Sequence, residues 1–238
     1  MNDYGRNATM GTGTGEVLSR YGTIKDLSNT AQEVQMEEDR SFTFVIDKMD
    51  EDETLGALNA GSALARQLRE VVIPEVDKYT YGKMATNAGK TVTETIGTGA
   101  TGAYEAILAG TEYFDEKYVP VEGRVATVTP KFYTELKKDN QAILETEIGQ
   151  DMRIKGVVSN MDGVTIQKVP STLLPTGANF LLSHRIATTQ AIKLAEYKVH
   201  NDTPFVSGSL VEGRIYYTAF VRNNKKNAIY YSTTGASL

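Results

Sequence analysis

The segment from Gly97 to Gly102 has the G-x-G-x-x-G spacing of loops that bind a dinucleotide pyrophosphate. In such loops, backbone N–H groups at the start of a helix donate to the phosphates, and a helix is predicted directly after this segment. The motif also needs a buried parallel strand before the loop, and residues 91–96 are too polar to form one. It needs an acid at the end of a second strand about 20 residues later, whereas Glu116 and Glu122 lie in a predicted helix or turn. The pattern favours a glycine-rich connection, with a nucleotide-dependent oxidoreductase as the alternative.

No other group of side chains has the spacing of a catalytic or metal site. The chain has no cysteine, which excludes disulfides, thiol nucleophiles, iron–sulfur clusters and cysteine-ligated zinc. Its two histidines, His184 and His200, lack neighbouring ligand patterns and are predicted to lie at a surface or interface. The run Gly89 to Thr91 resembles the end of a phosphate-binding loop, but Met84 stands where that loop requires glycine. The acidic stretch 33–53 lacks calcium-loop spacing, so we predict no catalytic residue, cofactor or metal.

Length and charge narrow the class of protein further. The chain has 238 residues and a formal net charge of −5, with a charged fraction of 23% that is typical of a globular protein. The length fits one large domain or two small ones. The negative charge argues against a protein that wraps nucleic acid through its net charge. No signal peptide is visible, and no window approaches the roughly 20 apolar residues that span a bilayer, so no membrane association is predicted.

The N-terminal segment, residues 1–47, is predicted to be an extended two-stranded excursion with little core of its own. Apolar side chains recur at every second position at Phe42, Phe44 and Ile46, which indicates a half-buried strand. A lone hairpin is marginally stable in water, so this segment should need a partner surface.

A long helix is predicted to follow. The acids from Asp50 to Glu53 suit a first helical turn, and apolar residues then recur at spacings of three and four as far as Met84. The stripe includes Val71. This helix would be about 48 Å long, and Pro74 should kink it. Such a helix suggests a spine along which other elements lie.

The remaining elements are short helices and strands, which makes the fold class α+β. Helices are predicted at about 103–118, 131–138 and 188–194. Strands are predicted at 125–128, around an Asp162-Gly163 turn, at 180–182, and at 214–221 and 228–231 with a basic hairpin tip at 222–227 between them.

Some surface residues belong neither to the predicted core nor to a catalytic site, and we predict that they contact neighbouring subunits. They lie on the N-terminal excursion, beside the apolar stripe of the long helix and at the basic tip. The candidates are Val17, Tyr21, Ile24, Val34, Met36, Arg66, Arg69, Arg222, Lys225 and Lys226.

Four stretches, in this order, resemble the major capsid protein of tailed double-stranded DNA bacteriophages. Residues 40–54 resemble the junction between that family's extended E-loop and its spine helix, and residues 64–79 resemble the spine helix. Residues 122–133 resemble a strand–helix unit of the A-domain, and residues 162–184 resemble the strands leading towards the C-terminal part.

The resemblance implies a tailed-phage major capsid fold with a spine helix, an A-domain, a P-domain and an extended E-loop. The implied divisions are 1–48 for the E-loop and a remnant of the N-terminal arm, 49–92 for the P-domain with the spine helix, 93–205 for the A-domain, and 206–238 for the C-terminal P-domain strands. Because the sequence begins at or inside the loop, a trimmed or shortened N-terminal arm is expected. No lysine or asparagine is assigned to an intersubunit crosslink.

The implied function is structural. Copies would form the hexamers and pentamers of an icosahedral shell, assembled in the host cytoplasm, that becomes the virion capsid. The shell would enclose double-stranded DNA without sequence-specific binding, and scaffolding, portal or decoration proteins are possible partners. A nanocompartment shell of the same fold is the nearest alternative.

Overall fold

The computed structural model describes residues 31–54, 56, 59–97, 101–139, 160–201 and 207–235. The chain divides into two units, Met1–Glu33 and Val34–Leu238, and the elements below all belong to the second. Among the predicted contact residues, Val17, Tyr21 and Ile24 lie outside the described residues.

Three antiparallel strands of the described residues form one sheet. Strand β1 is Glu38–Asp47, β7 is Thr188–His200 and β8 is Gly208–Val221, in the order β1-β8-β7. Along β1, Phe42 and Phe44 are half-buried and Ile46 is buried while their neighbours are exposed. The predicted alternation is therefore confirmed.

The long helix begins later than predicted. Helix α1, Lys48–Glu53, ends at Thr54, and helix α2, Ala60–Gln67, starts again after Asn59, whose side chain accepts a hydrogen bond from the Gly61 N–H. A single helix from Glu53 is therefore wrong, because Gly56 has a φ of 76° between the two helices and Asn59 caps the second.

From Ala60 the chain stays helical to Thr86. Helix α2 leads into a π-helical turn, Leu68–Val72, and then into helix α3, Ile73–Thr86. Pro74 lies in the first turn of α3, where its missing N–H does least harm. The Ile73 N–H donates instead to the carbonyl of Leu68, which closes the wider turn. We call this helical stretch, 60–86, the spine; it is about 40 Å long.

The spine packs against one face of the three-stranded sheet. Two small clusters of buried side chains join helix and sheet, and burial of apolar surface is the main term that holds them together. Their buried members are Ile46, Ala60, Val72, Val76, Val211, Ile215 and Tyr217.

The second sheet has six described strands and carries the larger core. It consists of β2, Lys90–Thr93; β3, Arg124–Val128; β4, Asn160–Met161; β5, Val164–Lys168; β6, Ala178–His184; and β9, Ile229–Thr233, in the order β2-β9-β6-β3-β5-β4. Helices α4, Ala103–Glu116, and α5, Pro130–Lys138, contribute to the same core. Both helices and the Asp162-Gly163 turn were predicted correctly.

A buried arginine fixes the turn between α4 and β3. Arg124 is 1% exposed, and one of its nitrogens lies 2.6 Å from the Asp115 carboxylate. It also donates to the carbonyls of Val119 at 2.6 Å and Pro120 at 3.0 Å. The guanidinium lies 5.6 Å from the centre of the Phe114 ring.

Two predicted elements are wrong. Residues 188–194 belong to strand β7 and not to a helix, because they pair with β8 from Thr188 opposite Val221 onward. The predicted basic hairpin tip is a short 3-10 helix, Asn223–Ala228, that connects β8 in one sheet to β9 in the other.

Sheet membership also crosses the predicted boundary at 205/206. Strand β7 lies before that boundary and pairs with β8, and β9 lies after it and pairs with β6 and β2. The domain divisions themselves stay predictions.

Candidate intersubunit surfaces

The start of helix α4 holds a carboxylate of the protein itself. The Tyr104 N–H donates to the Asp139 side chain at 3.1 Å, and a Cβ atom added to Gly102 would lie 2.9 Å from the same carboxylate. Glu135 also lines the small cavity beside Gly97. These acids would repel a phosphate where a nucleotide would need it, so the glycine-rich segment does not favour the oxidoreductase alternative.

His184 has a structural role. The prediction that it lies at a surface is wrong: the side chain is buried, and both ring nitrogens form hydrogen bonds to backbone groups. The Ile186 N–H donates to Nδ1 at 3.2 Å, so Nε2 carries the proton that it donates to the Glu122 carbonyl at 2.8 Å. His200 is exposed, as predicted, with Nε2 2.9 Å from the Glu212 carboxylate.

No cluster of metal-ligating side chains occurs in the described part of the chain. No helix among these residues is long and apolar enough to cross a membrane.

Arg66 and Arg69 are exposed on the spine and share one acidic partner. The Glu70 carboxylate lies 3.0 Å from Arg66 Nε and 3.5 Å from Arg69 Nη2. Beside them, Val71 is 47% exposed and Ile73 is 54% exposed, although Val71 was predicted to belong to the buried stripe. This outward face of the spine combines charge with apolar surface, a combination typical of contact surfaces.

Residues just before β1 are tied to the spine by charged hydrogen bonds. The Glu37 carboxylate accepts from Lys83 Nζ at 2.6 Å and from the Tyr79 hydroxyl at 2.8 Å. These two bonds, the Lys83 bond most strongly, lower the pKa of the Glu37 carboxyl below its ordinary value. Nearby, Arg40 Nε lies 3.1 Å from Glu75 of α3. The base of the predicted E-loop is thus fastened to α3 by pairs that sequence spacing did not reveal.

Val34 and Met36 lie next to this attachment. Val34 is exposed and Met36 is half-buried, with its carbonyl accepting from the Tyr216 hydroxyl at 3.4 Å. An open groove of about 690 Å³ runs beside α3, with Tyr79 and Lys83 on one side and Leu174 and Pro175 among its other lining residues. No sequence pattern predicted this groove, because its walls come from segments about 90 residues apart in the chain.

The face of the three-stranded sheet away from the spine is charged. Arg214 of β8 donates from Nε to the Asp39 carboxylate of β1 at 2.9 Å, and this bond lowers the pKa of Asp39. Lys198 and Glu196 of β7 lie 3.6 Å apart. The Arg214–Asp39 pair crosses strands and so helps to fix their register, and both pairs leave a polar surface.

Arg222, Lys225 and Lys226 lie together at the 3-10 helix. The Lys225 N–H donates to the Arg222 carbonyl, and the Gly89 N–H donates to the Lys226 carbonyl. The fold therefore brings the start of β2 to this basic segment, which the sequence alone could not show.

The mixed fold of a spine, a three-stranded sheet and a six-stranded sheet also occurs in chains of solved phage and virus-like particle structures. A chain from the structure of Mycobacterium phage Che8 has the same fold, with a TM-score of 0.68 and 16% identity over 88% of this chain and 78% of that chain. A capsid chain of cyanophage P-SCSP1u matches with a TM-score of 0.66 and 15% identity over 90% and 81%. A virus-like particle from Pyrococcus furiosus matches with a TM-score of 0.57 and 11% identity over 85% and 79%.

The family model for phage capsid protein matches residues 30–231, and the chain belongs to that family. No curated protein matches the sequence. The predicted resemblance and the predicted fold class are both confirmed. The chain is a structural protein of the bacteriophage capsid, and its place is the virion.

Proposed function

We propose that copies of this chain assemble into the hexamers and pentamers of an icosahedral phage head that encloses double-stranded DNA. The observation that carries the proposal is the family match across residues 30–231 on a fold shared with capsid chains. Many weak contacts to neighbouring copies can give a stable closed shell, because their effects add once the subunits are held together.

The net charge of −5 suits a shell that encloses DNA without binding it tightly. Tight DNA binding depends on many Lys and Arg contacts to phosphates, and the acids of this chain outnumber its cations. We infer that the DNA is enclosed without sequence-specific recognition. Scaffolding, portal or decoration proteins are the further partners that such a head would use, and assembly would take place in the host cytoplasm.

A nanocompartment shell is the second candidate function. The structural match to the virus-like particle from Pyrococcus furiosus supports this candidate. The two candidates differ in their contents. A phage head made during infection protects long double-stranded DNA from added nuclease, whereas a nanocompartment holds protein and no protected genome.

Electron microscopy of the purified full chain tests the proposal directly. We expect closed particles of uniform size, with matching large species by light scattering. A chain that stays monomeric at high concentration would overturn the proposal.

A further inference from the structure

Two lysines lie near the ring of Tyr113, and three further cations lie at the adjoining 3-10 helix. Lys90 Nζ lies 5.4 Å from the ring centre and Lys117 Nζ lies 5.9 Å from it. The Tyr113 hydroxyl donates to Asn227 Oδ1 at 3.3 Å, which joins the ring to the 3-10 helix. The basic patch consists of Lys90, Lys117, Arg222, Lys225 and Lys226.

Within the described residues, none of these five cations forms an ion pair with a carboxylate. Glu112, Asp115 and Glu116 are the exposed acids of α4 beside Tyr113 in sequence; Asp115 pairs with Arg124, and none of the three is paired with the patch. A concentration of unpaired cations is unusual on a chain whose net charge is −5. The patch therefore fits an acidic partner.

An acidic segment with the complementary charge lies on the same chain. Asp47 and helix α1 together carry five carboxylates and one lysine, a net charge of −4. In the described part of the chain none of these carboxylates takes part in an ion pair, and α1 has no buried residue. Met49, at 69% exposure, adds an apolar side chain to this surface.

Strand β8 holds these two charged surfaces apart. Asp47 pairs with Gly208 at the first residue of β8, and Arg222 directly follows Val221 at its last residue. A 14-residue strand spans about 43 Å at about 3.3 Å per residue. Charges this far apart in water are screened from each other, so one subunit cannot neutralise its own patch.

We propose that the acidic segment 47–53 of one subunit docks on the basic patch of the next subunit. The inference rests on the proposed shell function and names two surfaces that meet in it. A contact between different surfaces on two copies is head-to-tail, and repeating it by rotation closes a ring. Head-to-tail pairing through β8 therefore supplies the kind of contact that a hexamer or pentamer needs.

Charge exchange tests this contact. The reversal K225E/K226E should reduce the yield of particles from the full chain by about tenfold or more, because it places like charges opposite each other. The reversal D50K/D52K should do the same. The combined variant carries the opposite pairing and should return to within about threefold of the wild-type yield, with stronger assembly at low salt than at high salt.

Two controls separate docking from folding and from bulk charge. The reversal K131E/K137E on α5 makes the same charge change away from the patch and should assemble as wild type does. The melting temperature of each unassembled variant should stay within about 4 °C of that of the wild type, since all six reversed positions are outside the core and only the acids in the first turn of α1 add to helix stability.

The outcomes are distinct. Rescue of the particle yield by the combined variant supports the contact. If the combined variant instead loses as much yield as the two separate losses multiplied together, the contact is overturned. Normal particles of K225E/K226E that package less DNA would also overturn it, because the patch would then face the nucleic acid. Failure of the wild-type chain to assemble in the same assay counts against the proposed function and not against this pairing.

Discussion

Gly213 holds open a space in which two aromatic rings meet, and Gly213→Ala should close it. On the central strand β8, Gly213 pairs with Phe42 of β1 on one side and Tyr197 of β7 on the other. The two rings stack above the glycine with centroids 6.3 Å apart and planes 24° apart. A Cβ atom at position 213 would lie 2.4 Å from Cζ of Phe42 and 2.8 Å from Cδ1 of Tyr197. Both rings would have to move.

The expected cost follows from three effects. Overpacking at such distances costs about 1–3 kcal/mol, and loss of the aromatic pair costs about 0.5–1.5 kcal/mol. Replacing glycine in the unfolded chain returns about 0.4–1 kcal/mol, because alanine has less backbone freedom there. The net loss is about 2 kcal/mol. With an m-value of about 2 kcal/mol/M, the urea midpoint of the unassembled subunit should fall by about 1 M.

Urea unfolding of wild type, Gly213→Ala and two further variants measures this effect. Gly82→Ala is the matched control, because a Cβ there meets nothing within 4 Å and the residue lies in helix α3; it should raise stability by about 0.5–1 kcal/mol. In a Phe42→Leu background, Gly213→Ala should cost less, because the closest ring atoms are gone. A loss below about 0.5 kcal/mol, or an equal loss with and without Phe42, would refute the reasoning.

Three further perturbations have defined outcomes. Arg124→Met should cost about 3 kcal/mol in chemical unfolding, because it leaves buried carbonyls without a donor, whereas Asp115→Asn should cost less because Asp115 is 61% exposed and keeps an acceptor. Acid should weaken the attachment of β1 to α3: the Glu37 pKa is depressed in the folded state, so its contribution is present above the ordinary value of 4.5 and is lost as pH falls through the folded pKa. Glu37→Gln should reduce the fall in the free energy of unfolding as the pH is lowered. An unchanged fall would contradict the role of the Lys83 pair. Deletion of residues 8–32 should leave a cooperatively folding subunit that forms no particles, and loss of the folded monomer would contradict this.

Local signals predicted the elements whose structure depends on local chemistry. The period-two apolar residues of β1 lie on its buried side, and Thr129 with Pro130 starts α5 through a side-chain cap and a proline in the first turn. Asp162 and Gly163 both have positive φ in the turn between β4 and β5, as the sequence pair predicts.

Tertiary pairing decided the elements that sequence patterns missed. Residues 188–194 have apolar spacing compatible with a short helix, but they form a strand because they pair with the long strand β8. The residues of the basic patch divide in the same way. Lys225 and Lys226 stand out as a basic run in the sequence, whereas Lys90 and Lys117 join them only because both place their ammonium groups near the Tyr113 ring.

The spacing of apolar residues along the spine explains the π-helical turn. Four apolar residues of the spine recur at every fourth position: Leu64, Leu68, Val72 and Val76. In an α-helix of 3.6 residues per turn, each such step advances the side chain by about 40° around the axis, so the row would leave the sheet. A wider turn at 68–72 reduces this advance and keeps Val72 and Val76 buried.

Pro74 favours the same wider turn. Without an N–H, it cannot bond to the carbonyl of Glu70 as an α-helix would require, so an α-turn gains less at this position. The Ile73 N–H bonds to Leu68 across the wider turn instead. Once the spacing of four aligns the buried row, Val71 and Ile73 lie about 100° to either side of Val72, where both are about half exposed. The exposed apolar surface of the spine is therefore a direct consequence of how its buried face is kept in register.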